Sequence, residues 1–354
     1  MNFKYNLNTY VQPFDEGEVI YYETILPLQG EDIQTLFPIE EVIAVTNYGL
    51  DIIYEEGKDY LIIDKKLVII PTGRIKLTPL DEYYIKDKEE SPFVLNKEVC
   101  KFKFDDDRFL KYAEVDYFTQ RQIAITYKHK VDHCLFKQDN QKSQLLRFFK
   151  KLENKENPTI LFYGDSITVG CNSSGTEYGG NTKPYAKSWP EMVTDYLKQQ
   201  YNADINYVNT AVGGTLTIWG VENVEERVNK YHPDLLVLAF GMNDGPLSKE
   251  DHTKQIKEII DKVRDSNSEC DIVLISTTVP NFESKPHCFA LLGYQEEYRK
   301  LDYSHLCFVN MTEAHLSLLK RKAFKDMTGN NINHPNDFLA RAYAQNILKA
   351  MGML

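Results

Sequence analysis

The chain changes its hydrophobic period near residue 140. Before that point apolar residues gather in short runs rich in β-branched and aromatic side chains. These are Glu41 to Asn47, Asp51 to Tyr54, Asp59 to Ile63 and Leu67 to Ile70, with Glu98 to Phe104 and Arg121 to Tyr127 continuing the series. Tyr48-Gly49, Glu56-Gly57 and Pro71-Thr72-Gly73 punctuate them with turn chemistry. Strands so short and so closely spaced predict an all-β sandwich or jelly roll. After Asn140 the period becomes helical at Leu145, Leu146, Phe148, Phe149 and Leu152, and a polar stretch from Glu153 to Pro158 follows. From there strand-length runs (Thr159 to Tyr163, Ile205 to Val208, Leu235 to Phe240, Ile272 to Ser276, Leu306 to Val309) alternate with helical patterns. Such alternation builds a mostly parallel sheet with helices on both faces, and ligands then sit beyond the carboxyl ends of the strands. The pattern divides the chain into a β-sandwich or jelly-roll accessory domain (1–138), a helix and linker (139–157) and an α/β domain (158–354).

Charge and composition narrow the partners. The 41 Lys and Arg stand against 52 Asp and Glu over 354 residues, a net charge of −11 that repels nucleic-acid phosphates and anionic membrane surfaces. The start lacks a basic stretch followed by an apolar core segment, and no apolar run reaches the ~18 residues of a membrane span. The expectation is a cytoplasmic protein that binds neither nucleic acid nor membrane. Six cysteines at long, irregular intervals, with no Cys-x-x-Cys pair, predict free thiols rather than disulfides or a zinc site.

Chemistry is therefore sought just after the strands. The first ends in Tyr163-Gly164-Asp165-Ser166, where glycine permits a sharp turn that lifts a serine hydroxyl out of the sheet. Thr168 replaces the last glycine of the Gly-x-Ser-x-Gly elbow, and by itself this serine reads first as a turn or helix-capping residue. The second strand runs into Asn209-Thr210-Ala211-Val212-Gly213-Gly214, and the third into Gly241-Met242-Asn243-Asp244. A glycine pair can bare its N–H groups and an asparagine can offer its amide, together with the serine's own N–H, to one developing oxyanion. Taken singly, each is also an ordinary loop or cap. Near the C-terminus His334 precedes Pro335, which keeps the imidazole in a loop ahead of the last helix, where a base for serine could stand.

The order Ser, Gly, Asn, His on one side of the sheet is more specific than any member. On these residues the chain, over about 158 to 354, resembles the SGNH hydrolases, also called GDSL-type esterases. The resemblance implies a three-layer α/β/α domain with Ser166 as nucleophile and His334 as base. It places an oxyanion hole at the backbone N–H groups of Ser166 and Gly214 and the Asn243 side chain, with no metal or organic cofactor. The segment Tyr54-Glu55-Glu56-Gly57-Lys58-Asp59-Tyr60 is similar to the β domain that precedes this domain in some bacterial members. One position departs from the family: the aspartate usually found three residues before the histidine is Asn331 here. Three solutions are open. Asn331 or a backbone carbonyl orients the ring in a Ser-His dyad, a carboxylate from elsewhere serves (Asp337 and Asp326 are nearest in sequence), or the site is inactive.

The expected reaction is hydrolysis of a carboxylic ester through an acyl-serine, with acetyl or another short acyl group on a saccharide or similar polar substrate. The alternatives are a lysophospholipase or thioesterase of the same family, or a catalytically impaired carbohydrate-binding protein. The loop Cys171 to Tyr185, Trp189 and the segment Asn281 to Phe289 are expected to wall the pocket, and the first domain to present substrate or mediate homo-oligomer assembly.

Overall fold

The structure, a computed structural model, describes residues 6–11, 17–86, 99–130, 135–285 and 291–354. Glu98, Cys134 and residues 286–289 of the expected pocket wall lie outside them. Among the described residues the N-terminal half holds β1 (Val19–Ile25), β2 (Glu41–Asn47), β3 (Ile53–Tyr54), β4 (Tyr60–Ile63), β5 (Lys66–Ile69), β6 (Tyr84–Ile85), β7 (Phe109–Leu110) and β8 (Ile123–Lys128). An antiparallel sheet runs β1-β8-β2-β3, and β4-β5 and β6-β7 are separate two-stranded ribbons. Ile123 to Tyr127 are all buried, because β8 is paired on both edges and faces the core. The half is β-rich, as its short β-branched runs predict.

The C-terminal half is an α/β/α layer structure. Its strands β9 (Thr159–Gly164), β10 (Asn206–Asn209), β11 (Leu235–Ala239), β12 (Asp271–Ile275) and β13 (Leu306–Val309) form a parallel sheet in the order β10-β9-β11-β12-β13. Ile160 to Tyr163 of β9 are fully buried, the condition of a central parallel strand covered on both faces. Helix Trp189–Tyr201 packs on Asp337–Ala350, and Thr217–Arg227 on Lys249–Ser266. The last shows how sequence sets such an element: Ser248 Oγ accepts the Asp251 N–H at 3.1 Å, and Ile256, Ile259, Ile260 and Val263 form one buried stripe. Because the chain passes from β9 to β10 on one side and then to β11 on the other, a crevice opens beyond the carboxyl ends of β9 and β11.

The two halves share a core. One apolar cluster contains Ile25, Val45, Ile125 and Tyr127 together with Phe148, Ile160, Trp189 and Ile347. Polar contacts reinforce it along the segment that leads into the last helix. Lys322 Nζ pairs with Glu23 Oε1 at 2.9 Å, both side chains fully buried, and Tyr127 Oη donates to the other oxygen of Glu23 at 2.7 Å. Asp326 Oδ1 accepts the Leu26 N–H at 2.7 Å, and Asn336 Nδ2 donates to Thr24 Oγ1 and Gln122 Oε1 at 3.0 and 2.9 Å. The loop carrying His334 is thus held on one side by the β-rich half.

Candidate active site

Ser166 follows β9 directly. A Cβ on Gly164 would lie 2.2 Å from the Ala239 carbonyl oxygen and 2.3 Å from Thr168 Oγ1, so only glycine lets the strand pass this close to β11 before turning. Asp165 then caps the short helix Ser166–Val169, accepting the Ile167 N–H at 3.0 Å on one oxygen and the Met242 N–H at 3.3 Å on the other. The carboxylate so joins the serine turn to the loop after β11. Burial pushes its pKa up to about 7, against the two backbone donors.

The oxyanion candidates lie in two loops that are tied together. Gly214 has φ +75°, a left-handed conformation suited to glycine, and nothing within 4 Å of the place its Cβ would occupy. Asn243 Nδ2 donates to the Thr215 carbonyl at 3.0 Å. Next to it, Asp244 accepts the Thr217 N–H at 3.0 Å and the Thr217 hydroxyl at 2.6 Å, which fixes the start of helix Thr217–Arg227 to the β11 loop. Burial works against the Asp244 anion, yet hydrogen bonding to His252 and Thr217 holds its carboxyl below the usual range. Ser166, Gly213, Gly214, Asn243 and His334 border one cleft of about 370 Å³.

The imidazole of His334 bridges the site. Its Nε2 lies 2.9 Å from Ser166 Oγ. On the far side Nδ1 lies 2.8 Å from Asn172 Oδ1 and 3.2 Å from Glu114 Oε2. Asn172 spends its Nδ2 on the Val115 carbonyl at 2.9 Å, so the atom facing the ring is an oxygen. Two acceptors at Nδ1 place the proton there, and Nε2 is left free to accept the serine hydroxyl proton. The other oxygen of Glu114 accepts from Tyr112 Oη at 2.5 Å and Asn330 Nδ2 at 3.0 Å. Burial alone would raise the Glu114 carboxyl; the hydrogen bond and charge of His334, with Tyr112 and Asn330, outweigh it and hold the group at about 2.

Three residues considered as orienting partners lie elsewhere. Asn331, at φ +70°, turns its side chain away from His334: Oδ1 accepts from Tyr83 Oη at 2.8 Å and Nδ2 donates to the Lys111 carbonyl at 3.1 Å. Asp337 accepts the Ser174 N–H at 2.8 Å, and burial raises its pKa to about 6. Asp326 serves Leu26 and the buried lysines. The residue before the usual aspartate position is spent on the loop itself: Asn330 Oδ1 accepts the N–H groups of Ile332, Asn333 and His334, each at 3.0 Å. Trp189 is not a pocket wall either. It is fully buried, stacked on Tyr343, with its Nε1 donating to the Ile167 carbonyl at 2.7 Å behind the serine turn. Cys171 and Tyr178 do line the cleft, joined by Tyr112, Glu114 and Val115 from the N-terminal half. Sequence reasoning missed those last residues. Lys111-Tyr112-Ala113-Glu114-Val115 has no strand or helix period, and the one hint was the absent family aspartate.

Known proteins share parts of this architecture. An arylesterase of Vibrio mimicus is 24% identical over 140 residues, 39% of this chain, and the match spans 64% of that protein's length. A two-domain esterase active on acetylated mannans, crystallised with mannopentaose, superposes with a TM-score of 0.50 at 23% identity, covering 61% of this chain and 54% of that one. An acetylxylan esterase from Geobacillus stearothermophilus gives a TM-score of 0.44 at 18% identity over 55% of this chain and 94% of that chain. The model of the GDSL-like lipase/acylhydrolase family matches residues 162–339, from within β9 to the helix that follows His334; as that is half of its length, the chain belongs to this family.

Proposed function

We propose that the protein is a serine esterase that removes short acyl groups, acetyl foremost, from a saccharide or similarly polar substrate. The observation that carries this reading is the 2.9 Å contact between Ser166 Oγ and an imidazole whose other nitrogen faces two acceptors. Ser166 Oγ attacks the ester carbonyl as its proton passes to His334 Nε2. The tetrahedral oxyanion is met by the N–H groups of Ser166 and Gly214 and by the amide of Asn243, which has one N–H left after serving Thr215. His334 returns the proton to the leaving alcohol, and a water deprotonated by the same nitrogen then cleaves the acyl-serine.

The cleft supports a small acyl group. Its volume of about 370 Å³ lies near the lower end of the ~300–1,000 Å³ usual for small-molecule sites. Tyr178 borders it while 57% exposed, which gives a flat aromatic face on which a sugar ring can pack. The mannan-active esterase of similar fold points the same way. An intact Ser-His contact speaks against a catalytically impaired binding protein.

The test compares hydrolysis of p-nitrophenyl acetate, acetylated manno- and xylo-oligosaccharides and a long-chain lysophospholipid. Acetylated saccharides should be the preferred substrates. Ser166→Ala should lower turnover by about 10⁴-fold or more and abolish labelling by an organophosphonate, with folding unchanged. Near wild-type activity in Ser166→Ala would sink the assignment, and preference for the lysophospholipid would move the substrate class.

A further inference from the structure

We infer that Glu114, carried by the β-rich N-terminal half, supplies the negative charge behind His334, so that the catalytic relay is assembled from both halves of the chain. This rests on the esterase reading above. The geometry narrows the choice. Asn331, Asp326 and Asp337 are each committed to other partners, and the one carboxylate within 4 Å of a His334 ring nitrogen among the described residues is that of Glu114, its Oε2 at 3.2 Å from Nδ1. Glu114 in turn has His334 as its sole ion-pair partner among the described residues. Its side chain is 21% exposed and that of His334 11%, so the pair is partly desolvated and poorly screened by water. With Tyr112 and Asn330 holding the other oxygen, the carboxylate is fixed in rotation as well as in position.

Asn172 and Glu114 divide the work at Nδ1. Asn172 is the nearer acceptor, and because its amide nitrogen is spent on Val115 it sets the tautomer. It is neutral, so it adds little when the ring becomes cationic. The charge matters at that moment: the proton leaves Ser166 Oγ, the Oγ–C bond forms, and the imidazolium left behind is stabilised by the Glu114 anion. Glu114 itself takes no proton. It acts through His334 and is a positioning residue. The same short segment also carries Val115, at φ +65° for a β-branched residue, whose carbonyl anchors Asn172 and whose side chain borders the cleft. One stretch of the N-terminal half therefore furnishes the charge, the anchor of the orienting amide and part of the substrate wall.

Glu114→Gln tests this with the shape preserved. In a serine protease the equivalent change costs about 10⁴-fold, much of it through a wrong tautomer. Here Asn172 still fixes the tautomer, so the expected fall in kcat is smaller, about 10²-fold, with KM changed much less. The acid limb of the pH–rate profile provides the second readout. Among the described residues, the titratable groups that face this pair are Asp165 towards His334, and Tyr112 and Cys171 towards Glu114; none of these is a cation. A carboxylate beside the ring favours its cationic form, so its removal should move the acid limb down by about 1 pH unit or more. Glu114→Asp, which keeps the charge, should retain the wild-type limb and recover part of kcat. A Glu114→Gln variant that is folded by thermal melt and keeps wild-type kcat and acid limb overturns the inference. So does a fall in kcat with an unmoved limb, which would mark Glu114 as structural. If either occurs in an enzyme whose Ser166→Ala variant is dead, the esterase reading stands; if Ser166→Ala stays active, that reading itself has failed.

Discussion

The two halves of the molecule place their contributions to the site by different means. In the α/β half Ser166, Gly214 and Asn243 stand where β9, β10 and β11 run out, so the sheet sets their spacing and the switch in strand order gathers them at one crevice. In the β-rich half Glu114 sits in an irregular segment beyond β7, and besides its neighbour Tyr112 what holds it is a pair of side-chain hydrogen bonds to residues more than 200 positions away in the chain. Regular structure positions the nucleophile and the oxyanion donors; long-range tertiary contact positions the charge. The family aspartate would arrive within the histidine loop itself. Its replacement by Asn331 leaves that loop with a different task, to clasp Tyr83 and Lys111 of the other half, and so to hold the stretch that bears Glu114.

This contrast can be broken most severely by removing one side. Deletion of residues 1–138 strips Ile25, Val45, Ile125 and Tyr127 from the shared core and exposes the buried Lys322. The expected outcome is loss of soluble, folded protein, read by expression yield and circular dichroism; a monomeric truncation that melts cooperatively would show that the halves are independent. A narrower cut is Lys322→Met. It leaves Glu23 buried without its cation, which should cost about 3–5 kcal/mol of unfolding free energy in urea titration, since removing one member of a buried pair strands the other. A change below about 1 kcal/mol would mean that Tyr127 and the Leu36 N–H satisfy Glu23 unaided. The mildest is Asn331→Asp, which restores the family's residue type. Because this side chain points at Tyr83 and the Lys111 carbonyl, it should bring no gain in kcat and a loss of about 1–3 kcal/mol as a donor to that carbonyl disappears. A large rise in turnover would show that position 331 can still reach the ring.

Much of this was legible before any coordinates. Short β-branched runs announced the β-rich half, and the alternation after Asn140 announced the parallel sheet, because a buried strand and an amphipathic helix each carry their own period. Ser166 and His334 were legible as motif residues, the one from a glycine-led strand end and the other from the proline that follows it. Trp189 was misplaced for a physical reason: a tryptophan opening a helix reads the same whether its ring faces a cleft or the core, and only packing on Tyr343 decides. The continuity of the core across the two halves had no sequence signature either.

By itself, then, the sequence determined the two kinds of secondary structure, the strand ends at which chemistry could occur and the family to which that chemistry belongs. The tertiary structure alone decided which acid stands behind His334. Periodicity records what a segment buries against its near neighbours, whereas a single carboxylate, 220 residues away along the chain, reports its partner only once the two halves have packed.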